Sequence, residues 1–249
     1  MVHAIFIPGS LPLLAMVDLR SPIFLAVLVG WVLSVTLHEL AHGIVGYLGG
    51  DYTIRERGGI TLNPLQYIDP LLSIVLPLVF LLMGGMPLPG GVTYIRRDLL
   101  RSRLWDTAVS LAGPAVNLLL ALACILPFHP RIGWLQISMV PSVAEMTATE
   151  QFLCAMCVLQ FFVGMLNLVP IPPVDGFGAI RPFFDPETQA KLSSPQVAYV
   201  GLFVVCVLFG HYAAPRLFLL LSDILLRLGF DDWTIELMRQ AFNKVVAGR

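Results

Sequence analysis

Apolar residues in this chain fall into runs of membrane length, separated by short clusters of glycine, proline and charge. The first, Ile23 to Leu48, would be about 39 Å long as a helix, enough to cross a hydrocarbon core of about 30 Å with some tilt. Pro22 opens it and Gly49-Gly50 closes it. Leu104 to Pro127, Phe152 to Val169 and Val197 to Ala214 predict three more membrane helices, the first softly broken at Gly113-Pro114. Leu71 to Gly85 is apolar too but spans only about 22 Å as a helix, and Pro77 interrupts it. Ile5 to Val17 is broken by Pro8, Gly9 and Pro12, with no basic residue before it and no small-residue cleavage site after it. It is expected to pack on the bundle or lie at the interface rather than act as a signal peptide. Leu217 to Phe230 is apolar but carries Asp223 and Arg227. Trp233 to Val246 sets apolar residues amid charge, the pattern of an amphipathic interfacial helix. Tyr52 to Arg57 and Ile60 to Asn63, around Gly58-Gly59, predict a small β-hairpin whose free edge could hold a peptide. The expected fold is an all-α polytopic membrane bundle with that hairpin and a re-entrant segment. It forms one domain over 1–249, with a core over 22–180 and a C-terminal membrane helix and amphipathic tail over 195–249.

Composition sharpens this picture. Hydrophobic residues make up 57% of the chain and charged ones 12%, against about 25% charged in soluble domains. A net charge of −1 offers no footprint for nucleic acid. Cys124, Cys154, Cys157 and Cys206 all lie in apolar runs and read as core residues, the CxxC spacing of Cys154 and Cys157 included.

Set against this apolar background, His38-Glu39-Leu40-Ala41-His42 carries the chemistry. Histidines four apart project from one face of a helix, the spacing at which two imidazoles hold one zinc ion. Glu39 then stands beside a water on that metal as general base. In a soluble domain such residues are also found as satisfied core histidines beside a buried carboxylate. Inside a membrane-length helix, however, an ionisable cluster is a functional site by default.

A catalytic zinc needs a third protein ligand and an open position. Asp175 is the candidate, in the stretch Asn167 to Gly176, where Pro170, Pro172 and Pro173 cannot continue a helix. From the residues alone two readings stand level: an unwound segment that brings Asp175 to the histidines, or a loop that ends the helix with Asp175 solvated. The intramembrane histidines and aspartate also allow a different class of protein, a zinc-handling membrane transporter with a relay site.

The sequence resembles the site-2 protease family of intramembrane zinc metalloproteases. The resemblance rests on His38-Glu39-Leu40-Ala41-His42, on Gly113-Pro114-Ala115-Val116-Asn117 and on Asn167-x-x-Pro170-x-Pro172-x-x-Asp175-Gly176. Thr61 to Leu65 with Ile68-Asp69-Pro70 is similar to a stretch of compact bacterial members. It implies that His38, His42 and Asp175 bind one Zn2+ and that Glu39 activates the water. It further implies that Asn167 positions or stabilises the oxyanion, and that Asn117, Gly113 and Pro114 shape a substrate-binding cavity. The substrate it implies is another membrane protein, cut in or near its transmembrane segment within the lipid bilayer. The chain has no room for the PDZ or CBS domains that many relatives carry, and Pro87 to Tyr94 departs from the proline-valine-asparagine run of compact members.

Charge sets the orientation. Arg96, Arg97, Arg101 and Arg103 place the loop before Leu104 in the cytoplasm, and the Phe152 helix returns Asp175 to that side. The histidines join Asp175 only if the Leu71 run is re-entrant. That arrangement puts the active site toward the cytoplasmic side, in the compact form expected of a bacterial inner membrane. Cysteines introduced as Pro70→Cys and Pro87→Cys are therefore expected to react with an impermeant thiol reagent from the same side of the membrane. Labelling from opposite sides would remove the re-entrant segment.

Overall fold

A computed structural model describes residues 21–69, 73, 90–208 and 212–247. The expected elements at Ile5 to Val17 and across the re-entrant run Leu71 to Gly85 lie outside the described residues, apart from Ser73. The first long run forms α1 (Pro22–Gly49), with Pro22 in its first turn. A single helical turn, α2 (Thr53–Glu56), follows. Helix α3 (Arg103–Ile125) continues into a 3-10 turn over Leu126–Phe128. Then come α4 (Ala148–Asn167), the short α5 (Asp175–Ile180) and α6 (Pro186–Leu192). Three C-terminal helices complete the chain: α7 (Pro195–Leu208), α8 (Ala214–Arg227) and α9 (Asp232–Ala247).

Helices α1, α3 with its 3-10 extension, and α4 are long and apolar enough to cross a membrane. Of the expected fourth span, Val197 to Ala214, α7 forms the first part as far as Leu208, and residues 209–211 lie outside the described residues. Gly113-Pro114 does not break α3, which is helical on both sides of it. Helix α3 is central, packing on α1 along one side and α4 along the other.

Burial on α1 runs opposite to that of a soluble helix. Phe24, Val27, Trp31, Ser34, His38, His42 and Gly46 form its buried stripe, whereas Leu25, Val29, Leu33 and Leu48 are exposed. The polar groups face protein and the leucines face outward, as a lipid surround requires. Helix α4 is buried nearly all round, and Cys154 and Cys157 lie in that core. Its first turn is closed by a reciprocal cap between Thr147 and Glu150.

The expected β-hairpin is not formed, and the described residues contain no strand. Asp51 explains why. It is fully buried, and its carboxylate accepts from Thr53 N at 3.2 Å, Thr53 Oγ1 at 2.5 Å, Arg57 Nη2 at 3.2 Å and Arg96 N at 2.7 Å. An acceptor held there winds residues 53–56 into a helical turn. Gly58, at φ 76°, ends that turn, and Asn63 Oδ1 accepts from Leu65 N to start a 3-10 turn at Pro64. Too little chain is left between the two turns for a ladder.

The amphipathic tail differs from expectation in what its apolar face meets. Leu237, Met238 and Ala241 of α9 are wholly buried, and the face packs on α4, with the Phe162 and Phe242 rings 5.6 Å apart. Its cations have partners within the protein: Arg239 pairs with Glu236, and Lys244 Nζ donates to Gln151 Oε1 at 3.1 Å.

Removing the Asp51 carboxylate strands the Arg96 N–H and frees Arg57. Asp51→Ala is expected to cost about 2–3 kcal/mol. Thermal unfolding in detergent would show this as a lower midpoint, and an unchanged midpoint would contradict the stapling role.

Candidate metal centre

Three donors meet between α1, α3 and the start of α5. His38 Nε2 and His42 Nε2 are 3.0 Å apart, and Asp175 Oδ2 lies 3.1 Å from the first and 3.4 Å from the second. A tetrahedral zinc site with arms of about 2.1 Å has edges of about 3.4 Å, so this triangle matches one face of it. Both histidines are buried and Asp175 is partly so. Of the two readings of Asp175, the structure takes the one that brings it to the histidines. Along α1, which ends at Gly49, His38 lies about 16 Å and His42 about 10 Å from that end.

Each histidine is fixed from behind by α3. His38 Nδ1–H donates to Asn117 Oδ1 at 2.5 Å, and His42 Nδ1–H donates to the Val109 carbonyl at 2.6 Å. With both Nδ1 atoms engaged as donors, both Nε2 lone pairs face the triangle, which is the state a metal requires. Position 113 lies midway between 109 and 117 on the same face. A Cβ built at Gly113 would collide with Nε2 of both histidines. The absent side chain therefore leaves the space between the donors open. Pro114, also buried, has no N–H to return to the Ser110 carbonyl, and a proline in mid-helix loosens the turn that carries carbonyls 109 and 110.

Asp175 is delivered by non-helical backbone. Helix α4 stops at Asn167, the proline-rich stretch turns, and Asp175 begins α5. Several contacts hold α5 to α3. Thr107 Oγ1 donates to the Ala179 carbonyl at 2.8 Å, and Gly178 lies against Ser110. Asp106, near the start of α3, pairs with Arg97 and with Arg181 just past α5.

Glu39 is buried on α1 beside the pair, and the backbone of Gly91 runs against its side chain. Thr93 Oγ1 donates to the Glu39 carbonyl at 2.9 Å, which fixes the 90–95 segment there. Asn167 is half-buried at the end of α4, and among the described residues no hydrogen bond joins its amide to the three donors. Asn117 is buried, its oxygen engaged by His38 and its Nδ2–H donating to Gln160 Oε1 at 2.6 Å. Sequence reasoning passed over Gln160 and Ser34, which continue this chain of bonds. The signal was an amide in the middle of an apolar membrane run, where a polar side chain must find a partner.

Comparison with known proteins agrees with this site. The profile of "Peptidase family M50" matches residues 26–210, which include all three donors. A protein of Mycolicibacterium smegmatis named "Putative zinc metalloprotease Rip2" is 38% identical over 196 residues, 79% of this chain and 71% of that protein. The protein of the same name from Mycobacterium tuberculosis strain H37Rv is 39% identical over 184 residues, 74% and 67% of the two chains. A Bacillus subtilis protein named "Putative zinc metalloprotease YwhC" is 33% identical over 178 residues, 72% and 77% of the two. No solved structure matches. With its membrane-length helices, its two histidines and one aspartate around a common point, and the extent of these matches, the chain is an integral membrane protein that belongs to peptidase family M50, the site-2 protease family its motifs resemble.

Proposed function

We propose that the protein is an intramembrane zinc metalloendopeptidase that hydrolyses a peptide bond in or near the transmembrane segment of another membrane protein. The observation that carries this is the triangle of His38 Nε2, His42 Nε2 and Asp175 Oδ2, with edges of 3.0–3.4 Å, among helices fit to span a bilayer. Two imidazoles and one carboxylate suit zinc and leave a coordination position for water. What the ion supplies there is Lewis acidity toward the peptide carbonyl and a water acidic enough to deprotonate near neutral pH.

The protein's own groups do the rest. Glu39 takes the proton from the attacking water and passes it to the leaving amine. Asn167, at the rim of the unwound segment, donates to the oxyanion. Asn117 holds His38 in the tautomer that leaves Nε2 free, and Gly113 and Pro114 shape the cavity floor beside the donors. A transmembrane substrate must unwind before it is cut, because a helix hides its carbonyls in internal hydrogen bonds.

The reading extends to location. The arginines near α3 support a cytoplasmic side for the metal end of the bundle, and the likeness to compact members supports a bacterial inner membrane. The flanks of the re-entrant run support its return to the side it left: Asp69 N donates to Ser73 Oγ at 2.9 Å, and Ser73 Oγ donates to the Gly90 carbonyl at 2.6 Å. The transporter alternative draws no support from the peptidase family match.

Two substitutions in detergent-purified protein test the assignment. Glu39→Gln keeps all three donors, so zinc content should stay near one per chain while cleavage of a membrane substrate falls by at least about a thousandfold. Cleavage that survives would remove Glu39 as the base. Asp175→Ala leaves only two protein ligands, and its zinc content after dialysis should fall to background. Full retention would exclude Asp175 from the metal site.

A further inference from the structure

Behind His38 the hydrogen bonds do not stop at Asn117. Asn117 Nδ2–H donates to Gln160 Oε1 at 2.6 Å, Gln160 Nε2–H donates to Ser34 Oγ at 2.7 Å, and the Ser34 hydroxyl donates to the Trp31 carbonyl at 2.8 Å. Gln160 is fully buried, and Ser34 and Asn117 nearly so, in a part of the molecule where polar side chains are otherwise scarce. The chain begins on α1 at His38, crosses α3 and α4, and ends on α1 one turn above Ser34.

Its direction is set from the far end. The Trp31 carbonyl can only accept, so the Ser34 hydroxyl donates to it and presents lone pairs to Gln160. Gln160 must then turn its NH2 toward Ser34 and its oxygen toward Asn117. Asn117, with its NH2 taken, offers only its oxygen to His38. That is the one orientation in which His38 carries its proton on Nδ1 and leaves Nε2 free. An asparagine with nothing to hold its NH2 can flip, donate to His38 Nδ1 and push the proton to Nε2, the atom the metal needs.

We propose that Gln160, backed by Ser34, is a positioning residue of the metal centre: it fixes the orientation of the Asn117 amide and through it the tautomer of His38. This rests on the metal reading above.

The test is the zinc dissociation constant of detergent-purified full-length protein, measured by chelator competition, with the visible absorption of the Co2+-substituted form as a second readout. Gln160→Met nearly preserves volume but removes both hydrogen bonds, and is expected to weaken zinc about tenfold. Gln160→Glu in its neutral form repeats the accept-and-donate pattern and should stay within about threefold of wild type. The decisive comparison uses Asn117→Asp, whose ionised side chain has no donor to misdirect. In that background Gln160→Met should weaken zinc no further. An equal loss in both backgrounds would reduce Gln160 to a packing residue, and no loss in either would leave it without a role. Both results overturn the proposal. If Gln160→Met does not yield folded protein, Ser34→Ala, which deletes one atom, should show the same dependence on background, and its failure to do so counts equally against the proposal. Wild-type protein that binds no zinc would instead defeat the metal reading itself.

Discussion

The hydrogen bonds from α3 to the two histidines are what the rest of the structure depends on. Among apolar helices an imidazole has no water to settle its proton, so the protein must supply a partner for Nδ1 or the ring is free to turn and tautomerise. Val109, Gly113 and Asn117 stand four apart on one face of α3, as His38 and His42 do on α1. Two helices in contact thus match donor for acceptor at the same pitch, with the bare glycine between. The polar content of α1 follows from this: Ser34, His38 and His42 all lie on its buried stripe, and its outward face is left to leucine and valine.

Asp175 depends on a different kind of support. It begins a helix of only 6 residues, too short to hold its place alone. Its position is borrowed from α3 through Thr107, Ser110 and the Asp106 ion pairs, so one helix fixes all three donors. The close approaches at Gly176 and Gly178 follow. Gly178 lets α5 press on Ser110, and Gly176 admits the Leu168 carbonyl where a side chain would collide with it. Sequence distance between ligands is thereby converted into proximity by a common scaffold, with α1 and α5 both held to α3 and meeting at the donors themselves.

What could be read from the sequence divides along physical lines. The long apolar runs gave α1, α3 and α4 to within a few residues, because a lipid-spanning helix needs little beyond length and apolarity. The histidine pair was legible because i, i+4 geometry is local. Asp175 was not decided by local signals: three prolines predict only that a helix ends, and convergence with α1 depends on how the whole bundle packs. The hairpin expectation failed for a related reason. Tyr52 to Asn63 has strand-like composition, but the buried Asp51 carboxylate just before it makes a helical turn the better solution. The C-terminal tail was correctly periodic, yet periodicity does not say whether its apolar face meets lipid or α4. Gln160 was missed because a single amide carries no motif; only its neighbours reveal what it does.

Register settles the last step. His38 meets Asn117 while His42 meets Val109, so residue numbers rise along α1 as they fall along α3: the two helices are antiparallel. The end of α1 and the start of α3 therefore lie at one end of the bundle, and the Arg101 N–H donating to the Gly49 carbonyl at 2.9 Å joins them there. Whatever path residues 50–102 take, they return to the end they left. Helix α4 packs along α3 and closes at Asn167, from which Asp175 reaches the same donors. The antiparallel pairing that fixes the imidazoles therefore also sets the donors toward the end of the bundle where Arg101 meets Gly49 and where Arg97 and Arg181 pair with Asp106.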